Sequence, residues 1–415
     1  MNTNIQSTGN CTLACTATGH PMGEAKKHEA AQALEVRVGR GTPELLALEK
    51  HWRALAASLS KPALIHDFDW QWSYLDHLSS DPESIVYISF FANDQAVAIF
   101  PLSRVRRSVG RLRLWLWELP KHPHLVLGDM LVAQEWSRSD LIRRLLQTLD
   151  ERLDLPWDGL HFHNMLEDSM ARHLLLSESP ALVHLEKTGQ SMYFQCGNLE
   201  TALANCSKRF KQNLRRQSRK LAQQGTVSLT LARQGTELDA AFTEFLRLES
   251  SGWKGRNGKA SAIACHPRLL GFYRELKDRF AANNACLIAL QKLNGIAIAA
   301  QLCFLSGSTL YIQKIAYDEA WKAEAPGNQL LLKVLEHACD NPAISHVSLI
   351  TGPAWAVGRW NPESCEVWEA YVFKNNLRGL GALTMRRIKT RLWEPGKMLW
   401  KRVRGRLKSG EASTA

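Results

Sequence analysis

Three β-like segments, "ACLIALQKL", "IAIAAQLCFLSG" and "TLYIQKIAYD", follow one another with only short turns between them, and an amphipathic helix from Asn328 to Cys339 comes next. Strands joined by such short turns must run antiparallel to their neighbours. The unit is therefore a meander that hands over to a helix. Two further strand-like segments follow, "SHVSLIT" and "EVWEAYVFK". Preceded by the strand "TVSLTLAR" and the helices "LDAAFTEFLRLESSGW" and "PRLLGFYRELKDRFAA", this unit reads β-α-α-β-β-β-α-β, and a similar order is legible earlier in the chain. There "LEVRVG" and the helix "TPELLALEKHWRALAASLS" lead into "SIVYISFF", "QAVAIFPLSRV", "RLRLWLWEL", "LVLGDMLVA", the helix "SRSDLIRRLLQTLDERL" and the strand "DGLHFHN". No residue identity accompanies this agreement, so a duplicated fold follows from element order alone.

The handover into the later helix is "KAEAPGNQ". Unpaired N–H groups and the positive dipole end make a helix start attractive to phosphate. Ala325, Pro326 and Gly327 carry little side-chain volume, Lys322 adds charge and Asn328 opens the helix. Such a loop is either a plain strand-to-helix turn or a phosphate cradle. Neither the Walker nor the Rossmann glycine pattern is present.

Charge separates the candidates further. The chain carries a net +12, yet residues 208–220 hold seven basic residues and no acid, and residues 386–408 hold ten basic residues against Glu394. The remainder is at −4, so the basicity belongs to two elements and not to a DNA-reading face. Hydrophobic content of 45% and charged content of 22% suit a globular chain. No apolar run reaches the roughly 18 residues of a membrane span. The first 32 residues are polar, lack an apolar signal core and read as a flexible tail, which suggests a cytoplasmic protein. The nine cysteines are scattered singly. Cys11 and Cys15 with His20 do not match zinc spacing, and no metal is expected.

Several stretches resemble one family. "FLRLESSGWKGRNGKAS", "FYRELKDRFA", "KIAYDEAW…PGNQLLL" and "SKRFKQNLRRQSRKLAQQG" are similar to the BioF-like, CelD-type acetyltransferases of the GNAT superfamily. These in turn resemble the Fem peptidoglycan transferases. Lys322 to Gly327 is similar to the superfamily's pyrophosphate loop, with Lys in place of Gln or Arg and Ala in place of the first Gly. The likeness covers roughly residues 35–380 and is strongest over 205–375. It implies an α/β (α+β) fold of two tandem GNAT-like domains, each a mixed, mostly antiparallel sheet flanked by helices. The expected division is a disordered tail (1–32), a GNAT-like domain without a carrier loop (33–197), a catalytic GNAT-like domain (198–380) and a basic amphipathic tail (381–415).

The resemblance also implies a mechanism. Acyl-CoA would give its acyl group directly to an amine or hydroxyl acceptor, a small molecule or saccharide, in polysaccharide or cell-envelope synthesis. The fourth and fifth strands would splay, with the thioester carbonyl bound to backbone N–H near Ile315, Ala316 and Tyr317, and with Lys322, Ala325, Pro326, Gly327 and Asn328 around the pyrophosphate. Glu249, Asp318 and Glu366 are the candidate general bases, carboxylates at element ends. Trp253, Lys254 and Gly255 would form an acceptor loop, and Lys314 would point into the cleft. Lys208, Arg209, Arg215 and Arg216 either meet phosphates or form a solvated helix face. The first half, whose link into its helix is "AQEW", would wall the acceptor cleft. Rival readings are a Fem-like transferase using aminoacyl-tRNA, and a non-catalytic scaffold held to an anionic membrane surface by residues 385–408.

Overall fold

The structure is a computed structural model that describes residues 34–136, 140–178, 182–252, 255 and 258–393. In the first half β1 (Glu35–Arg40), α1 (Gly41–Ser58) and α2 (Phe68–Ser73) precede the meander β2 (Val86–Ala92), β3 (Gln95–Val109) and β4 (Leu112–Glu118). Then come β5 (Leu131–Val132), α3 (Leu141–Glu151), β6 (Gly159–Leu166), α4 (Met170–Glu178) and β7 (Val183–Gln195). Two helices, α5 (Leu199–Ala202) and the basic α6 (Lys208–Gln223), lead into the second half. That half comprises β8 (Val227–Ala232), α7 (Gly235–Ser251), α8 (Pro267–Ala282), β9 (Cys286–Leu293), β10 (Ile296–Ser306), β11 (Thr309–Tyr317), α9 (Pro326–Cys339), β12 (His346–Ser348) and β13 (Glu363–Phe373). Helix α10 (Leu377–Ile388) closes the described chain, followed by a π-turn to Trp393.

The thirteen strands of the described residues join one sheet in the order β1-β2-β3-β4-β6-β13-β7-β12-β11-β10-β9-β8, with β5 attached to β3. Each half thus contributes five neighbouring strands, and the last strand of each half crosses into the other's territory. β7 pairs with β12, and β13 pairs with β6. The two crossing strands pair with each other from Glu363/Tyr193 to Val372/Val183. Helices α1, α2, α7 and α8 bury their apolar stripes in one shared core, where Trp70 of α2 meets Phe272 and Phe280 of α8 edge-on. Helix α9 buries Leu330, Leu331, Val334 and Leu335 in a second core, against Leu287, Ala289, Cys303 and Phe194.

Two expectations need correction. "LVLGDMLVA" is mostly not a strand, since only Leu131 and Val132 pair. The physical reason is Gly128, whose N–H donates to Asn164 O at 3.1 Å and where a Cβ would lie 2.1 Å from His163 O. The segment is pressed against β6 at this point. Strand β7 was not anticipated at all.

Where the crossing strands meet the first half, the sheet buries charge. Arg107 forks onto Glu118 with bonds of 2.8 and 2.7 Å, and Glu118 Oε1 lies 2.9 Å from His161 Nδ1. His161 stacks on Tyr371 at 4.2 Å, and the Arg386 guanidinium of α10 covers the other ring face at 3.9 Å. Arg386 also pairs with Glu186 of β7.

Candidate active site

The β11–β12 contact is short. Thr309, Leu310 and Tyr311 pair in parallel with His346, Val347 and Ser348. Beyond that point the chain after β12 follows β7 instead. Leu349 N–H donates to Met192 O at 2.8 Å, and Met192 N–H to Thr351 O at 3.2 Å. β11 stays with β10 as far as Tyr317. The two strands therefore part after Tyr311 and Ser348. A bulge marks the departure: Ile312 pairs with Cys303 and Lys314 with Leu302, which leaves Gln313 without an opposite residue. Asp318 N–H donates to Ile298 O at 2.8 Å. By antiparallel alternation, the N–H groups of Ile315 and Tyr317 then turn away from β10 and into the gap.

Helix α9 starts beside this gap. Its N-cap is Ala325 at φ 51°, ψ 54°, a left-handed conformation, and Pro326 follows as the first helical residue. The family's missing glycine is thus missing where the backbone favours one. Ala325→Gly should raise stability by about 1 kcal/mol, read as a higher urea midpoint. The cradle is narrower than the sequence suggests. Asn328 and Gln329 N–H both bond to Ala325 O, at 3.0 and 3.2 Å, so Gly327 N–H is the first-turn amide without a backbone acceptor among the described residues. Asn328 Oδ1 accepts from Trp360 Nε1 at 3.1 Å, and Gln329 Nε2 donates to Glu324 O at 2.7 Å. These bonds hold the loop's shape. Lys322 is exposed beside it.

Glu249 projects from the buried stripe of α7, in phase with Leu238, Ala241, Phe242, Phe245 and Leu248. It is 5% exposed, and its Oε2 accepts from Ile263 N–H at 2.7 Å. With Ile315, Ala316 and Tyr317 it lines a small cavity of about 50 Å³, closed by Leu248, Gly252 and Glu319. The fold therefore brings one candidate base together with two of the three expected oxyanion amides, those of Ile315 and Tyr317, whereas the Ala316 N–H faces β10.

The other two carboxylates lie elsewhere. Asp318 caps the following turn by accepting from Ala320 N–H at 3.0 Å. Glu366 sits on β13, 2.5 Å from Lys187 of β7, and does not line that cavity. Trp253 and Lys254 lie outside the described residues. Gly255 is held in a tight turn, its N–H donating to Gly252 O at 2.9 Å. Residues 394–408 of the basic tail are likewise outside.

Sequence reasoning missed a group that meets only in three dimensions. His124 Nδ1 and Tyr273 OH share a 2.7 Å hydrogen bond. Gln313, the bulge residue, donates through Nε2 to His124 O at 3.1 Å and to Tyr273 OH at 3.4 Å. The Lys314 ammonium lies 5.8 Å from the centre of the Tyr273 ring. Burial pushes the Tyr273 hydroxyl well above its ordinary value, so it stays a neutral donor. Burial, with the charges of Arg268 and Lys314, holds His122 below its ordinary value as a neutral imidazole. Both histidines sit on the loop that follows β4. Further along, Val126 and Leu127 of this loop join Leu64, Ile65 and Trp70 against Gln313 and Ile350. The first half thereby closes one end of the gap. The same loop occupies the matching position beside β6, where β4 and β6 stop pairing after Glu118 and His161. Elsewhere Asp76, His77 and Glu275 converge, but Glu275 Oε1 is taken by Trp72 and Arg279, and the group reads as an ion-pair cluster.

Residues 208–356 match the family model "Acetyltransferase (GNAT) domain". This stretch is similar to a GNAT acetyltransferase domain. Its chemistry is acyl transfer, and the splayed strands and helix start lie within it. No curated relative matches the chain by sequence. Among solved structures, FemX is similar with a TM-score of 0.52 at 12% identity, over 79% of this chain and 96% of that one. L-PGS from Bacillus licheniformis gives 0.49 at 16%, over 82% and 97%. A tandem GNAT protein from the clavulanic acid biosynthesis pathway gives 0.42 at 11%, over 83% and 100%. The likeness to FemX is one of fold and extends beyond the GNAT domain through the first half. No described helix is long and apolar enough to cross a membrane.

Proposed function

We propose that the chain is an acyl-CoA-dependent acyltransferase of the CelD-type branch, acting on an amine or hydroxyl of a small or saccharide acceptor. The observation that carries this reading is the parting of β11 from β12 beside the start of α9, with Glu249 facing the strand whose amides turn into the gap. The pyrophosphate takes Gly327 N–H and the helix dipole. The pantetheine arm enters between the strands, and the thioester oxygen accepts from Ile315 or Tyr317 N–H as negative charge develops on it. Glu249 takes the acceptor's proton, directly or through water, and the thiolate leaves. Reactants held in this order need no covalent enzyme intermediate.

A Cβ at Gly327 would lie 3.7 Å from Tyr317 Cδ1, an ordinary contact, so the position tolerates a side chain. Gly327→Asp should keep the fold and weaken acetyl-CoA binding by at least about tenfold, measured by equilibrium titration. Undiminished affinity would remove the cradle from the mechanism.

A second reading is a Fem-like transfer from aminoacyl-tRNA, with residues 208–220 on the RNA. It is favoured by the fold shared with FemX and by the exposed basic residues of α6. Mass spectrometry of parallel reactions with an acyl-CoA panel and with charged tRNA separates the two donors. Envelope-polysaccharide synthesis is the setting that the CelD likeness suggests.

A further inference from the structure

A cleft of about 420 Å³ lies on the far flank of α9, between that helix, α6 and β8. That is within the size range of small-molecule sites. It shares no lining residue with the cavity around Glu249. α6 supplies Arg215 and Arg219, neither with a carboxylate partner among the described residues, and α9 supplies Lys333, which Glu336 holds at 2.6 Å. The apolar lining comes from all three elements, Leu214 of α6, Leu332 of α9 and, on β8, Val227 and Leu229. Val227 and Leu229 are 38% and 41% exposed, on the terminal strand of the sheet. The polar group Gln291 is 5% exposed and donates to Gln329 Oε1 at 3.1 Å, while its own Oε1 is buried without a partner.

Two uncompensated guanidinium groups beside exposed apolar side chains suit one ligand chemistry. We propose that this cleft is a second binding site, for a phosphate ester carrying an alkyl chain. The phosphate lies between Arg215 and Arg219, which suit its oxygens. The chain covers Val227 and Leu229 and removes them from water. No aromatic residue lines the cleft, so nothing there stacks a nucleobase, which sets it apart from a single-strand RNA groove. The inference goes beyond the acyl-transfer reading and does not depend on it.

The test uses the full chain and two sources of the same chemistry: hexyl phosphate as a soluble monomer, and phosphatidylcholine vesicles with and without phosphatidic acid. Hexyl phosphate should bind about tenfold tighter than inorganic phosphate, or the chain should float with the phosphatidic acid vesicles alone. The first result assigns a soluble ester and the second a bilayer lipid. Either binding should fall at least about tenfold in Arg215→Gln/Arg219→Gln and in Leu229→Ser. It should change less than about twofold in Arg216→Gln/Lys220→Gln, which removes the same charge from α6 outside the cleft. Equal losses in the two double variants would show diffuse attraction and overturn the site. So would absence of binding to both probes, or displacement by tRNA whose own binding ignores Leu229→Ser.

Discussion

Glu249→Gln should lower kcat by about 10²- to 10⁴-fold and leave the urea midpoint close to its original value. The side chain has two separable duties. One oxygen accepts from Ile263 N–H at 2.7 Å, and a glutamine carbonyl can do the same. The other duty, taking a proton from the acceptor, needs a carboxylate. Structure and chemistry are thus divided by one substitution. On the proposed mechanism, KM for acetyl-CoA should move little while kcat falls. A variant with full kcat would move the base elsewhere, and the neutral His122 would be the next group to replace.

Glu118→Gln should cost about 1–3 kcal/mol, because it weakens two charge-assisted bonds at a buried carboxylate. Glu118 is 1% exposed and answers both Arg107 and His161. A neutral amide would leave the buried His161 with Glu369 alone as its counterion, while Arg107, whose side chain is 46% exposed, turns to water. pH should report the same network. Burial works against the ionised form of Glu118, but Arg107 and His161 outweigh it and carry its pKa from 4.5 down to about 2. Glu186 is carried equally low, its burial outweighed by His184, Arg386 and Thr390. A lowered carboxylate stabilises the fold fully above about 4.5 and loses that contribution as pH falls toward 2. His161 is shifted the other way: burial opposes its charge, and Glu118 and Glu369 prevail. Its contribution is complete below 6.5 and is lost as pH rises through the raised value. The network should therefore contribute most between about pH 4.5 and 6.5, and urea midpoints across pH should show a maximum that Glu118→Gln flattens.

Much of this fold was legible because periodicity survives where one face of an element is buried. β9, β10 and α9 kept their patterns, and so did α7, whose stripe also carries Glu249. β7 escaped because its middle is exposed, from Lys187 to Gln190, and because Thr188 has no opposite residue where Lys187 faces Trp368 and Gly189 faces Val367. Alternation is broken at the point where it would be read. The carboxylates show the limit of local reasoning. Glu249, Asp318 and Glu366 look alike in sequence, and only the third dimension gives the first a cavity, the second a cap and the third a lysine. His124 and Tyr273 are 149 residues apart, and nothing local announces their meeting.

The crossing of β7 and β13 has a bearing on how the molecule transmits change. The rail along which the chain after β12 departs from β11 is Met192, which belongs to the other half of the polypeptide. Tension applied to the first half therefore reaches the gap between β11 and β12 through a shared ladder of main-chain bonds. Architecture of this kind makes the two halves a single mechanical body, and the width of the gap becomes a property of both.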